Sequence, residues 1–105
     1  MAYMVFTKDK QDAAHIRAEH RQAHMDYLAS WEPKLIASGG VQTESGEFNA
    51  GLIIIDVNSL EEAKAFIEGD PFGKAGLFGE ITVSKWVQTY LHGRLDREPF
   101  QALAK

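Results

Sequence analysis

The sequence predicts a single α+β domain whose elements run β-α-β-β-α-β, and three observations predict it. Apolar residues recur at spacings of three and four in two separate stretches, from about Asp12 to Ala37 and from Leu60 to Ile67. An almost unbroken aliphatic run, Gly51-Leu52-Ile53-Ile54-Ile55-Asp56-Val57, lies between them. Strict alternation in Ile81-Thr82-Val83-Ser84-Lys85-Trp86-Val87 follows them.

Taken in order, Tyr3-Met4-Val5-Phe6 reads as a short first strand, ended by Thr7-Lys8-Asp9-Lys10. Asp12 stands as N-cap of the first helix, whose face carries Ala14, Arg17, Arg21, His24, Leu28, Trp31 and Leu35. Pro33 should end or kink that helix near Ser30 to Glu32, with a helical resumption over Lys34 to Ala37 that Gly39-Gly40 terminates. Val41 to Glu44 reads as a second strand and Ser45-Gly46-Glu47 as the turn out of it. The Ile-rich run is the central strand. Ser59, with Glu62 three residues on, forms a capping box for a second helix through Leu60, Ala63, Phe66 and Ile67 to Gly69. Asp70-Pro71-Phe72 opens a short helical or turn-rich segment that runs to Phe78 before the last strand. This order is the ferredoxin-like arrangement: a four-stranded antiparallel sheet carrying two helices on one face. Alternating apolar residues on the other face of the sheet call for cover, and a second copy of the chain is the simplest supplier. A homodimer is therefore expected.

The bulk properties exclude several function classes. With 105 residues the chain makes one domain, taken as residues 1–88, followed by a tail over 89–105. In that tail Arg94 to Pro99 reads as an exposed linker, and Phe100 to Leu103 as a short helix gripping a neighbour. The net charge of −4 speaks against nucleic-acid binding, which needs a concentrated basic surface. The absence of cysteine removes disulfides, thiolate metal sites and a thiol nucleophile, and suits a reducing interior. The N-terminus lacks a basic n-region, and no run approaches the roughly 18 apolar residues of a spanning helix. A cytoplasmic protein with no membrane association is the expectation.

His24 and Asp70 are the candidates for chemistry. His24 lies on or beside the apolar stripe of the first helix, and Asp70 sits where the second helix ends and Pro71 fixes the backbone. A carboxylate at such a corner either caps the Phe72 or Gly73 amide or holds an imidazole from a neighbouring helix. In the second case it fixes the tautomer and raises the basicity of the other ring nitrogen. His24 taken alone reads as a half-buried histidine satisfying a core hydrogen bond. His20 and His24 share a helical face, but Arg21 follows His20, so HExxH is absent and no metal is expected. The glycines match neither GxGxxG nor a P-loop, and no serine has a nucleophile-elbow context, so no cofactor is expected.

Three stretches resemble the YciI-like (YCII-related) family: Arg21-Gln22-Ala23-His24-Met25, Leu35-Ile36-Ala37-Ser38-Gly39, and above all Asp70-Pro71-Phe72-Gly73-Lys74-Ala75-Gly76-Leu77-Phe78. The likeness runs from residue 1 to about 88. It implies a dimeric α+β barrel with His24 and Asp70 paired beside a pocket. Gly39-Gly40 departs from the family's usual Gly-Pro, the Ser45 to Ala50 loop is short and the tail is long, which would reshape the pocket rim. The implied dyad, the absence of metal, thiol or nucleotide motifs, and the likeness to some YciI-like proteins and other dimeric α+β barrels together imply an acid–base enzyme: an isomerase, lyase or dehydrohalogenase acting on a small, cyclic or aromatic metabolite. His24 and Asp70 would be catalytic, Arg17 or Arg21 would hold an anionic group, and Trp31, Phe72 and Phe78 would wall the pocket. The alternative is a non-catalytic ligand-binding or protein-interaction module of the same fold.

Overall fold

The computed structural model describes residues 1–96, so the linker and helix expected beyond Asp96 lie outside the described residues. The elements are β1 (Ala2–Asp9), α1 (Ala14–Ala29), β2 (Leu35–Gln42), β3 (Phe48–Asp56), α2 (Leu60–Glu68), α3 (Pro71–Lys74), β4 (Phe78–Trp86), and the short strands β5 (Tyr90–Leu91) and β6 (Arg94–Leu95). The main sheet has the order β2-β3-β1-β4 with every pair antiparallel, which is the ferredoxin-like plan.

Strand alternation sorts the side chains. Tyr3, Val5 and Thr7 are buried beneath the helices, and in register with them on β3 stand Ile55, Ile53 and Gly51. Met4 and Phe6 face the other way, opposite Ile54 and Leu52. Helix α2 begins as expected: the Ser59 hydroxyl accepts from the Glu62 N–H at 3.1 Å, and the Glu62 carboxylate accepts from the Asn58 N–H at 2.7 Å. Its Ala63, Phe66 and Ile67 are buried in the main core with Tyr3, Val5 and Ile55. Helix α1 is held differently. No side chain caps its start, and Leu28 is its sole buried residue. Leu28 joins the main core near one end, while Ala13 and Ile16 pack with Phe72 and Leu77 at the other.

Five local expectations need correcting. Asp12 does not cap α1: it adopts a left-handed φ of 57°, and Ala13 stands at the cap position. The helix does not resume after Pro33. Leu35–Gln42 is strand β2, paired along β3, with Gly39 and Gly40 in mid-strand rather than at a helix end. Leu35 and Ile36 fit helical spacing from Trp31, but β3 offers the backbone a full ladder of partners. Strand β1 extends past Phe6 to Asp9, and Phe78 opens β4 instead of closing a helical segment. Part of the expected linker is a hairpin, β5–β6, whose two-residue turn has positive φ at both His92 (52°) and Gly93 (76°), the geometry of tight hairpin turns.

Candidate active site

The floor of the site is a deficiency of side chains. Thr7, Gly51 and Gly40 form one cross-strand row under α1, and Ile53 and Ser38 form the next. Two glycines and small hydroxyl residues do not fill the space between sheet and helix. The result is a cleft of about 880 Å³, lined from α1 by Arg17, Arg21, His24, Met25 and Leu28 and from below by these floor residues. Phe48 closes one side. Its ring lies over Gly40, where a Cβ would approach within 2.7 Å, so only glycine lets the ring rest there.

Asp70 is fully buried and serves both roles open to it. As N-cap of α3 its Oδ1 accepts from the Phe72 N–H at 2.9 Å, while His24 Nδ1 lies 2.9 Å from both carboxylate oxygens. An ionised carboxylate only accepts, so Nδ1 carries the hydrogen. The His24 ring stacks on Phe72 at 4.1 Å between centroids and 15° between planes, which fixes its orientation. Among the described residues every buried side-chain nitrogen or oxygen has a partner, and His24 Nε2 has none. Nε2 therefore opens onto the cleft that His24 lines.

The cations divide. Arg17 is bound bidentately to Asp9, both bonds 2.9 Å, and its guanidinium carbon lies 5.1 Å from the Phe72 ring centre and 5.4 Å from that of Phe48. Arg21, exposed at the mouth, has no ion pair among the described residues. Glu32 and Glu47 also border the cleft. Phe72 and Phe78 line it, edge to face at 6.4 Å. Trp31, expected in the wall, is instead edge-on against Phe66 at 5.1 Å, because it lies beyond the end of α1 and over α2. His20 gains no set of three ligand residues with His24 among the described residues.

Tyr27 steadies the segment that carries Asp70. Its hydroxyl donates to the Phe66 carbonyl at 2.6 Å, over Gly69, where a Cβ would lie 2.5 Å from that oxygen. Burial pushes the Tyr27 phenol above its ordinary pKa of 10.0. Trp31 opposes this rise and the charge of Asp70 adds to it.

Thr7, Asp9 and Phe48 did not stand out in the sequence. Thr7 and Asp9 read as the end of a strand, although the alternation Tyr3-Val5-Thr7 already places a hydroxyl on the core-facing side.

The YCII-related domain model matches residues 1–87. The chain belongs to the YCII-related family. Protein YciI of Escherichia coli O6:H1 is 26% identical over 98 residues, 86% of this chain and 100% of that protein. A solved relative at 28% identity is the 5-chloro-2-hydroxyhydroquinone dehydrochlorinase TftG of Burkholderia phenoliruptrix AC1100, in complex with 2,5-dihydroxybenzoquinone. It matches with a TM-score of 0.76, covering 82% of this chain and 93% of its own. Atu4242 of Agrobacterium tumefaciens shares the fold, at 16% identity and a TM-score of 0.51 over 91% of this chain and 100% of its own. No helix among the described residues is long and apolar enough to cross a membrane.

Proposed function

We propose that this YCII-related protein is a cofactor-independent acid–base enzyme acting on a small cyclic or aromatic substrate, with dehydrohalogenation or a related elimination as its reaction. The observation that carries the reading is His24: its Nδ1 is held by buried Asp70 while Nε2 opens into a cleft walled by aromatic rings. The solved relative TftG, a dehydrochlorinase that accepts a dihydroxylated quinone, supports it. Nε2 takes a proton from a ring hydroxyl, and Asp70 stabilises the imidazolium that forms. Returning that proton to the ring carbon bearing halogen gives a keto tautomer. Loss of a second proton, and of halide with the carbon–halogen electron pair, then removes HX. Arg21, unpaired at the mouth, holds the anionic oxygen of the substrate, a role open to Arg17 only through the nitrogen that Asp9 leaves free. Phe72 and Phe78 supply the apolar wall.

The test is chloride release from 5-chloro-2-hydroxyhydroquinone, with binding of 2,5-dihydroxybenzoquinone followed in parallel. His24→Ala should lower kcat by about 10²–10⁴-fold, the usual contribution of a positioned general base, while binding stays within a few-fold. Full turnover in His24→Ala rejects the reading. Ring compounds that bind the wild type but are never turned over would make the protein a ligand-binding module instead.

The same reading has the protein work as a homodimer in the cytoplasm, the half-buried sheet face of Met4, Phe6 and Leu52 packed on its counterpart. Sedimentation at micromolar concentration checks this, with Phe6→Lys expected to yield monomer.

A further inference from the structure

We propose that the Thr7 hydroxyl is a ligand-binding group of this cleft, one that holds a second oxygen of the substrate ring and so selects rings carrying oxygen at two positions. Its ligand class rests on the functional reading above; its geometry does not. Thr7 is only 4% exposed, yet its Oγ1 makes no hydrogen bond among the described residues. Since every buried side-chain oxygen among the described residues has a partner, this one borders open space, and Thr7 lines the cleft. Its direction follows from Gly51: a Cβ there would stand 3.3 Å from Oγ1, so the hydroxyl leans toward β3 and over the glycine floor. Beyond Gly51 in the same row lies Gly40, roofed by Phe48. A flat ring on this bare strip meets the hydroxyl at one edge.

A ligand that covers this cleft-facing hydroxyl displaces its water, and leaving the hydroxyl unpaired is then unfavourable, whereas valine would match its shape without that cost. The position makes physical sense when a ligand supplies the missing bond. A hydroxyl both donates and accepts, so it serves a ring hydroxyl, a carbonyl or an oxyanion alike. It is separate from His24, which handles the atom that loses or gains the proton. A site built to bond two ring oxygens rejects a ring that has lost one, because a buried polar group is then left unpaired.

The experiment measures affinity by calorimetry for 2,5-dihydroxybenzoquinone and for phenol, whose ring carries a single oxygen. Wild type, Thr7→Val and Thr7→Ser are compared. Thr7→Val should weaken binding of the dihydroxylated ring about tenfold and shrink the preference between the two compounds, and Thr7→Ser should recover most of the loss. Equal affinity in wild type and Thr7→Val overturns the inference. If Thr7→Val does not fold, a crystal structure of the wild-type complex decides: a ring oxygen within hydrogen-bond distance of Oγ1 supports it, and ring oxygens placed only elsewhere overturn it. Failure of the wild type to bind either compound overturns the inference together with its ligand class. Binding that depends on Thr7, with turnover that ignores His24, overturns the acid–base reading alone.

Discussion

The two helices lie on one sheet face and do opposite things there. Helix α2 presses Ala63, Phe66 and Ile67 onto large residues of β1 and β3, and all three are buried. Helix α1 spans Thr7, Gly51, Gly40 and Ser38, and buries Leu28 alone. The difference lies in the sheet more than in the helices. Small residues in one patch of one face convert what would be core into a cleft, while packed residues beside it hold Asp70 where the cleft needs it. Stability is concentrated under α2 and chemistry under α1.

The largest contrast should come from truncating one side chain on each helix. Phe66→Ala, at a fully buried site, should cost about 3–5 kcal/mol in urea unfolding. Met25→Ala, on the cleft side of α1, should change stability by no more than about 0.5 kcal/mol. Similar losses at the two positions would break the comparison.

Asp70 joins the two regions, so its variants separate them. Asp70→Ala leaves His24 Nδ1 and the Phe72 N–H without their acceptor and should cost about 2 kcal/mol. Asp70→Asn retains an oxygen for the Phe72 N–H and should cost less, yet should still lose most activity because the imidazolium has no counter-charge. Parallel losses of stability and activity in the two variants would make the pair chiefly structural.

A smaller effect belongs to Tyr27. Gly69→Ala would displace its hydroxyl from the Phe66 carbonyl and should cost about 1–2 kcal/mol. The raised phenol also has a pH signature. Its folded pKa lies above the unfolded value of 10.0, so its contribution is fully present below pH 10.0 and is lost as pH rises above it. Tyr27→Phe should remove that alkaline loss from a stability–pH profile. The smallest stability change should be at Gly51→Ala, within about 0.5 kcal/mol, although the new methyl would crowd Thr7 Oγ1 and weaken ligand binding.

How much of this was legible varies with the range of the forces involved. The order of elements, the Ser59–Glu62 cap and the central strand are local patterns, and they read correctly. The pairing of His24 with Asp70 followed from the Asp70–Phe78 run and its family likeness rather than from spacing, which favoured Asp70 as a cap; the structure holds both hydrogen bonds. Strand β2 was misread because Leu35-Ile36 fits two periods, and only the ladder to β3 decides between them. Trp31 kept its helical stripe in the sequence but turns onto Phe66 in three dimensions. The cleft floor was hidden for another reason: glycines at 40 and 51 read as weak strand residues until the register aligns them.

The most direct test of the central claim, that Asp70 fixes His24 so that Nε2 is the free base in the cleft, is long-range ¹H–¹⁵N NMR of the His24 ring in its neutral form. The expected spectrum has the hydrogen on Nδ1 and a pyridine-type Nε2 whose shift moves when 2,5-dihydroxybenzoquinone is added, with mixed tautomers in Asp70→Asn. A hydrogen on Nε2 in the wild type, unmoved by ligand, would contradict it.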